Sequence, residues 1–462
     1  MTGHINLQLG WPSPAIFPSA QVLEGASNVL SSPEKAATAL VYGPDAGYAP
    51  LRESIANWLS SIYSRDHAIT PDRVCITNGA SGNLDNILAR FTEPGYTRNI
   101  WMIEPSYFLA CPIFLDNGFE GRLRGVPEDD EGLDTQFLRN ALEESERNAT
   151  QQVPLVKKAP RYEKLYKHII YAVPTFSNPS GKTMSLRRRH ELIRLAREFD
   201  ALVVTDDVYD VLRWPQEEDA DISRLGDVPP RIVDADRFLD GGPKDKWGNA
   251  MSNGSFSKII APGIRVGWAE ATPALSLALS TVGATRSGGC PTQISASFVH
   301  EMLDSGSLQK YLNETVIPTF RKRFYGMMKA IDQRLVPLGF EVSVGKPYER
   351  APPPTNGLTN GHSNGDQSIP PEAGGYFTYL TLPMDQSGKG AELAAQALKD
   401  FDLKFAFGDM FKVHGDDSCA ERAAKGFGKG IRLSWAWHTT DEIIEGIERL
   451  AQLIERERKR GV

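Results

Sequence analysis

Apolar residues follow two alternating patterns along the first two thirds of the chain. Short continuous apolar runs are typical of buried strands, and they occur at residues 74–77, 100–103, 168–173 and 201–205. Runs with helical spacing follow them, such as Leu84, Ile87, Leu88 and Phe91 after the first run. Because strands that alternate with helices form βαβ units, the pattern predicts an α/β fold with a mostly parallel sheet.

Beyond residue 290 the pattern changes. A long segment with helical spacing covers about 292–335, alternating strands follow at 374–380 and 430–435, and an amphipathic helix is predicted at 440–459. With 462 residues the chain exceeds a single core of ordinary size. We therefore predict a large domain over 41–300 and a smaller α+β domain over 301–462, preceded by an N-terminal arm over 1–40.

Three segments lack a clear core pattern. Residues 5–20 contain three prolines, which predict an extended arm, and residues 121–166 are charged and helix-forming, which indicates a solvated face. Residues 347–372 are rich in Pro, Gly, Asn and Ser and have too little apolar surface to offset the entropy of ordering. They are predicted to be a disordered insertion.

Composition narrows the class of protein. The formal net charge is −7, and no long basic run occurs, which disfavours a nucleic-acid partner. No apolar run is long enough to cross a bilayer and no signal peptide is evident, so we expect a cytoplasmic protein without a membrane partner. The four scattered cysteines form no CxxC pair, which predicts reduced thiols and no metal site.

Candidate chemistry begins with residues 254–267, GSFSKIIAPGIRVG. A lysine amine gains chemistry when it condenses with a carbonyl, and pyridoxal phosphate (PLP) supplies an aldehyde together with an anionic phosphate. Lys258 is the candidate amine, and Ser255, Ser257 and Arg265 are candidate phosphate donors. A surface lysine beside a Gly-Ser turn explains this stretch alone equally well.

A second candidate phosphate site follows the first predicted strand. Strand 74–77 breaks at residues 78–82, NGASG, and a helical pattern begins there. Unpaired N–H groups at a helix N-terminus bind anions, and Ala80, Ser81 and Gly82 would present them. A purely structural βα turn is the commoner explanation.

Two charged residues lie in apolar surroundings. Asp206 directly follows the apolar run 201–205, at the end of that predicted strand. Arg432 lies between apolar neighbours in the predicted strand 430–435. A buried charge requires a partner of opposite charge. An Asp-Asp calcium loop is the rival explanation for Asp206 and Asp207, but its pattern of alternating oxygen ligands is absent.

These motifs together resemble fold-type I PLP-dependent class I/II aminotransferases, in particular the kynurenine/aminoadipate branch. The resemblance covers nearly the whole chain, because residues 10–14 (GWPSP), 104–107 (EPSY), 178–181 (NPSG) and 431–434 (IRLS) occur in the family's order. It implies a three-layer large domain with a mostly parallel sheet, a smaller C-terminal domain, PLP as cofactor and a homodimer.

The resemblance also implies roles for individual residues. Lys258 would carry the cofactor, Asp206 would face its pyridine nitrogen, and Tyr107 would stack on its ring. The phenolic oxygen of the cofactor would be bound by Asn178, through a turn in which a cis Asn178–Pro179 bond is plausible, and by Tyr209.

The remaining implied contacts concern the substrate and the partner subunit. Arg432 would bind the substrate α-carboxylate beside Asn178, and Gly10 and Trp11 would lie at the substrate entrance. Tyr42 would reach the cofactor phosphate of the partner subunit, although an ordinary turn tyrosine is a fair alternative.

The implied activity is transfer of an amino group between an L-amino acid and a 2-oxo acid by a ping-pong mechanism. A carbon-sulfur lyase on the same scaffold and a non-catalytic PLP-binding regulator are the alternatives, whereas no GxGxxG follows a strand to indicate a dehydrogenase. Residues 1–34 contain no Arg or Lys, and His4 is their one possible cation. We therefore expect a neutral, apolar or aromatic substrate side chain, unless an arginine from elsewhere in the chain enters the pocket.

Overall fold

Strands and helices alternate from Val74 to Ser280, as the apolar pattern predicts. The computed structural model describes residues 3–63, 67–148, 155–348 and 370–460. Its strands in chain order are β1 (Ile5–Asn6), β2 (Val74–Thr77), β3 (Asn99–Glu104), β4 (Leu123–Asp129), β5 (Gly132–Leu133), β6 (His168–Ala172), β7 (Ala201–Asp206), β8 (Arg213–Pro215), β9 (Ala250–Ser255), β10 (Gly267–Glu270), β11 (Glu341–Ser343), β12 (Glu372–Gly374), β13 (Phe377–Thr381), β14 (Leu403–Lys404), β15 (Ala406–Phe407) and β16 (Gly430–Ser434).

The α-helices lie between these strands and at both ends of the chain. They are α1 (Ser19–Leu30), α2 (Pro33–Leu40), α3 (Ala49–Tyr63), α4 (Ala80–Phe91), α5 (Cys111–Asp116), α6 (Thr135–Arg147), α7 (Leu186–Glu198), α8 (Ile232–Phe238), α9 (Pro273–Ser280), α10 (Gly283–Gly288), α11 (Gln293–Asp304), α12 (Ser307–Tyr311), α13 (Ile317–Arg334), α14 (Gly390–Phe401), α15 (Asp417–Lys425) and α16 (Thr440–Arg460).

The large sheet has eight strands in the order β2-β10-β9-β7-β6-β3-β4-β5. Neighbouring strands from β9 to β4 are parallel, whereas β10 runs antiparallel to both β2 and β9. Strand β6 is buried throughout and β7 is buried up to Thr205, and for that reason they appear in the sequence as continuous apolar runs. Six strands therefore end at one edge of the sheet: β2, β3, β4, β6, β7 and β9.

The second sheet is antiparallel, with four strands in the order β11-β13-β16-β15. Helix α16 packs on α13 through apolar residues at helical spacing, including Ile443, Ile447 and Leu450. The chain's first strand, β1, pairs in parallel with β14, so that Ile5 lies opposite Leu403 and Asn6 opposite Lys404. This pairing attaches the N-terminal arm to the C-terminal part of the chain.

Some local predictions were wrong. Strands β4 and β5 occupy part of the segment predicted to be helical from its charge, and α6 follows them; the burial of Leu123, Val126 and Leu133 against the sheet outweighs the charged neighbours. The arm is not fully extended, because Pro14–Ile16 forms a 3₁₀ turn. Most of the predicted insertion, residues 349–369, lies outside the described residues, whereas Glu372 already belongs to β12.

Two further findings concern membrane-spanning helices and the cysteine thiols. None of the helices in the described ranges combines the length and apolar composition of a membrane span. All four cysteines are buried and free.

Candidate active site

Loops leave the ends of β2, β3, β6, β7 and β9 at the same edge of the large sheet and surround a cavity of about 340 Å³. In open α/β sheets, ligands bind outside the carboxyl ends of the parallel strands. The opposite wall consists of residues from the N-terminal arm and of Phe377, Lys404 and Arg432. The cavity therefore has one wall from the large sheet and another from the two ends of the chain.

Lys258 lies at the end of β9, in a 3₁₀ turn over Phe256–Lys258 that the Ser255 hydroxyl caps by accepting a hydrogen bond from the Ser257 N–H at 3.1 Å. Its Nζ points into the cavity and donates to the Gly10 carbonyl at 2.9 Å. Burial lowers the pKa of this amine to about 8, although the Asp206 carboxylate acts in the opposite direction. About a tenth of the amine is therefore uncharged at pH 7, far more than at the usual lysine pKa, and this uncharged form is the nucleophile.

The donors predicted to bind phosphate converge beside this lysine. Arg265 donates from Nη2 to the Asn78 carbonyl at 2.7 Å, and the Ser255 and Ser257 hydroxyls lie 2.9 Å apart. Helix α4 begins here without a side-chain cap, so its first N–H groups are free of intrahelical acceptors. Gly79 has a φ of +99°, and a Cβ at this residue would lie 2.5 Å from Arg265 Nη2. Only glycine lets the arginine approach so closely.

Asp206 ends β7 at the floor of the cavity and is held by two donors. The Tyr171 hydroxyl donates to Oδ2 at 2.6 Å, and the Asn253 amide donates to Oδ1 at 3.0 Å. Burial raises the pKa of this carboxyl to about 6, while the hydrogen bond from Tyr171 acts in the opposite direction. A cationic ring nitrogen beside it would stabilise the ionised form.

Arg432 is buried on β16 and lacks an acidic partner among the described residues. Its Nη1 donates to Asn178 Oδ1 and its Nη2 to the Gln8 carbonyl, both at 2.6 Å, while its Nε is buried without an acceptor. Burial lowers its pKa to about 10. The guanidinium also lies over the Phe377 ring, 4.0 Å from the centroid. A guanidinium in this setting calls for an anion from outside the chain.

Aromatic side chains form much of the remaining wall. Tyr107 and Tyr209 lie in the cavity, and burial raises the pKa of both phenols, so both stay protonated near neutral pH. Trp11 is 55% exposed at the mouth and packs edge-to-face on Trp437. Gly10 adjoins Phe377 so closely that a Cβ would lie 2.6 Å from the ring.

Most of the predicted site residues lie around this one cavity. Its lining includes Gly10, Trp11, Ala80, Ser81, Tyr107, Asn178, Asp206, Tyr209, Ser255, Ser257, Lys258, Arg265 and Arg432. The Asn178–Pro179 bond is cis. Gly82 lies behind the lining, against the Asn78 side chain, and Tyr42 lies outside the cavity with 86% of its surface exposed.

Sequence reasoning missed four residues at the site. Asn253 bridges Asp206 and the Ala80 carbonyl, Tyr171 donates to Asp206, and the Tyr376 hydroxyl donates to the Lys258 carbonyl. Lys404 lines the cavity from the C-terminal side. Polar residues in buried strands, such as Asn253 and Tyr171, were a usable signal, whereas nothing near Lys404 in the sequence indicates a site.

The residues present fit PLP. The cavity contains an amine of lowered pKa, a cluster of hydroxyl, guanidinium and N–H donors, and a carboxylate fixed by two donors. These are the partners that an aldehyde, a phosphate and a pyridine nitrogen need.

Comparison with known proteins points the same way. The family model "Aminotransferase class I and II" matches residues 20–344. An uncharacterised protein of Saccharomyces cerevisiae is 33% identical, with 96% of this chain and 95% of that protein covered. The aromatic-amino-acid aminotransferase 1 of Thermococcus litoralis is 28% identical, with 99% and 89% covered.

A solved structure shares the fold. The α-aminoadipate aminotransferase of Thermus thermophilus, in complex with N-(5'-phosphopyridoxyl)-L-leucine, superimposes with a TM-score of 0.69 at 26% identity. The alignment covers 98% of this chain and 93% of that one.

Proposed function

The chain belongs to the class I and II aminotransferases, and within this family we propose that its amino donor is an L-amino acid with an uncharged, apolar or aromatic side chain. It is a PLP-dependent aminotransferase that moves an amino group between an L-amino acid and a 2-oxo acid in a ping-pong cycle. Aminotransferases among its relatives favour this activity over the eliminating and regulatory alternatives.

The observation that supports an amino acid as substrate most strongly is the state of Arg432. Its guanidinium is buried in the same cavity as the Lys258 amine, and its Nε has no acceptor. A carboxylate can accept two parallel hydrogen bonds from a guanidinium, which fixes orientation as well as charge. We assign Arg432, supported by Asn178, to the α-carboxylate, because it lines the same cavity as the Lys258 amine that would act at Cα.

PLP, when bound, supplies an aldehyde for the amine and a ring that accepts electrons from Cα. Lys258 Nζ would accept the Cα proton and return it, because its lowered pKa lets it act as base and acid near neutral pH. Asp206 would hold a proton on the ring nitrogen, with its oxygens fixed by Tyr171 and Asn253. Tyr107 would cover the ring face, and Tyr209 and Asn178 would donate to its phenolic oxygen.

The phosphate would be bound by Arg265, the two serine hydroxyls and the first N–H groups of α4, which include those of Ala80, Ser81 and Gly82. Arg265 is already held by the Pro262 and Asn78 carbonyls, and the two serine hydroxyls are hydrogen-bonded to each other. Binding therefore needs little rearrangement of the chain, which reduces its entropic cost.

The donor class rests on the lining of the outer cavity. Trp11, Tyr107, Phe108, Leu109 and Phe377 offer an apolar surface, and the T. litoralis relative is named for aromatic amino acids. His4, the one cation predicted near the arm, pairs with Asp402 instead, with Nδ1 2.7 Å from Oδ1.

The test is a panel of single half-reactions without an oxo acid. We expect phenylalanine and leucine to change the cofactor absorbance and to release the matching 2-oxo acid in stoichiometric amount. A clear preference in kcat/KM for 2-aminoadipate over both would contradict the donor class. Continuous ammonia release from a cysteine conjugate would contradict transamination itself.

We further propose a homodimer in which Tyr42 of the partner subunit completes the phosphate site. The proposal is supported by three consecutive exposed apolar residues, Leu40, Val41 and Tyr42, directly before the loop that leads into α3. Sedimentation of the active enzyme should give a dimer, and an active monomer would overturn this assembly.

A further inference from the structure

The charges that line the cavity are unequal. Four cationic side chains line it, Lys258, Arg265, Arg432 and Lys404, against one carboxylate, Asp206, among the described residues. Under the proposed function, on which this inference rests, the first three have ligand groups to bind: the aldehyde, the phosphate and the α-carboxylate. Lys404 has none.

The strand pairing directs Lys404 toward the cavity. Lys404 lies opposite Asn6 in the parallel β1–β14 pair, and the Leu7 N–H donates to the Lys404 carbonyl at 2.8 Å. Directly paired residues share a face of the sheet. Ile5 and Leu7 are buried in the core, whereas Asn6 and Gln8 line the cavity, so Lys404 lies on the cavity side with them.

The acids nearest to Lys404 in sequence are already paired. Asp400 binds Arg456 at 2.9 Å, Asp402 binds His4 at 2.7 Å, and Asp409 binds Lys412 at 2.9 Å. Within the described residues, the Lys404 side chain makes no hydrogen bond or ion pair. A cation in this position can be neutralised only by solvent or by a ligand.

We propose that Lys404 binds the second carboxylate of a dicarboxylic 2-oxo acid, the amino acceptor, while the aromatic wall accepts the neutral donor. In a ping-pong cycle both substrates occupy one site in turn, and Arg432 recognises the α-carboxylate that they share. The long lysine chain can extend toward an anion or lie along the wall with its ammonium in water. The same cavity thereby suits two side chains of opposite polarity.

The test uses apoenzyme loaded directly with pyridoxamine phosphate, so that it does not depend on the identity of the donor. Single-turnover kcat/KM is measured with 2-oxoglutarate and with 4-methyl-2-oxopentanoate, which lacks the second carboxylate. In Lys404→Met the ratio of the two values should fall by about tenfold, because one charge contact is lost for the dicarboxylate alone. Lys404→Arg should keep most of the ratio.

A binding measurement adds a readout that does not depend on turnover. Glutarate should bind the loaded enzyme more tightly than pentanoate, and the salt dependence of glutarate binding should weaken in Lys404→Met. Lys399→Met, on the exposed side of α14, is the matched control and should leave both readouts unchanged.

An unchanged ratio in Lys404→Met would overturn the proposal, whether both values of kcat/KM stay the same or both fall by the same factor. Failure of phenylalanine and leucine as donors, with the ratio still dependent on Lys404, would instead refute only the donor class.

Discussion

The two walls of the cavity are built in different ways. The cofactor wall comes from residues 78–82, 206–209 and 253–265, which lie at or directly after the ends of strands of one sheet and carry their own local motifs. The substrate wall joins residues 6–11 to Lys404 and Arg432, which lie some four hundred positions away in sequence. Under the proposed roles, cofactor chemistry depends on residues of a single sheet, whereas substrate choice depends on how the two ends of the chain meet.

The largest effect is expected from Lys258→Ala, which removes the amine of the cofactor wall. Loss of the amine should reduce turnover by at least about 10⁴-fold, because the turn Phe256–Lys258 has no other amine that could serve as base and nucleophile. The absorbance of the lysine-linked cofactor should also disappear. Lys412→Ala, whose side chain pairs with Asp409 outside the cavity lining, is the control; a fully active Lys258→Ala would end the assignment.

Arg432→Met should impair substrate binding at the substrate wall and leave cofactor binding at the cofactor wall nearly unchanged. Removal of the guanidinium that meets a buried carboxylate should lower kcat/KM for amino acids about 10² to 10³-fold, with cofactor affinity nearly unchanged. Phenethylamine, which lacks a carboxylate, provides the comparison, because its slow half-reaction should not lose rate by the same factor. Equal losses for phenylalanine and phenethylamine would show that Arg432 does not bind the carboxylate.

Gly79→Ala should weaken the phosphate end of the cofactor wall. The positive φ strains an L-residue by about 1 kcal/mol or more, and the new Cβ would displace the Arg265 guanidinium. We expect the dissociation constant of PLP to rise about tenfold, as measured by fluorescence titration of the apoenzyme. Gly263→Ala is the matched control, since no atom lies within 4 Å of its Cβ position; equal effects of the two variants would contradict this account.

The smallest expected effect is on the pH dependence of PLP uptake, whose midpoint should depend on one residue from each wall. In the apoenzyme, the rate of PLP uptake should rise with pH as the Lys258 amine, with a pKa of about 8, loses its proton. Asp206 favours the charged amine and Arg432 disfavours it. Asp206→Asn should therefore move the midpoint to lower pH and Arg432→Met to higher pH. Midpoints that stay together in all three proteins would refute this coupling.

Much of the large sheet could be predicted from the sequence. The buried strands β6 and β7 contain continuous apolar runs, and Asp206 is the last residue of β7, so a charged residue at the end of a buried strand indicated a site. Strands β4 and β5 were missed, because Arg124, Glu128 and Asp129 interrupt the apolar residues of β4, and β5 has only two residues. Asn253 directly precedes the lysine motif, and its position in a buried strand was a usable signal that was missed; the sequence alone does not show that its partner is Asp206.

What the sequence by itself determined is the cofactor wall: Lys258, its hydroxyl and arginine neighbours, and Asp206 lie in motifs whose chemistry is readable within a few residues. What only the tertiary structure decided is the substrate wall. Parallel pairing of β1 with β14 brings Lys404 beside Asn6 at the cavity. His4, the one cation of the N-terminal segment, pairs with Asp402. The reason is physical: local motifs record backbone geometry and nearby donors, whereas a contact between residues at the two ends of the chain depends on the register of strands, which no local pattern specifies.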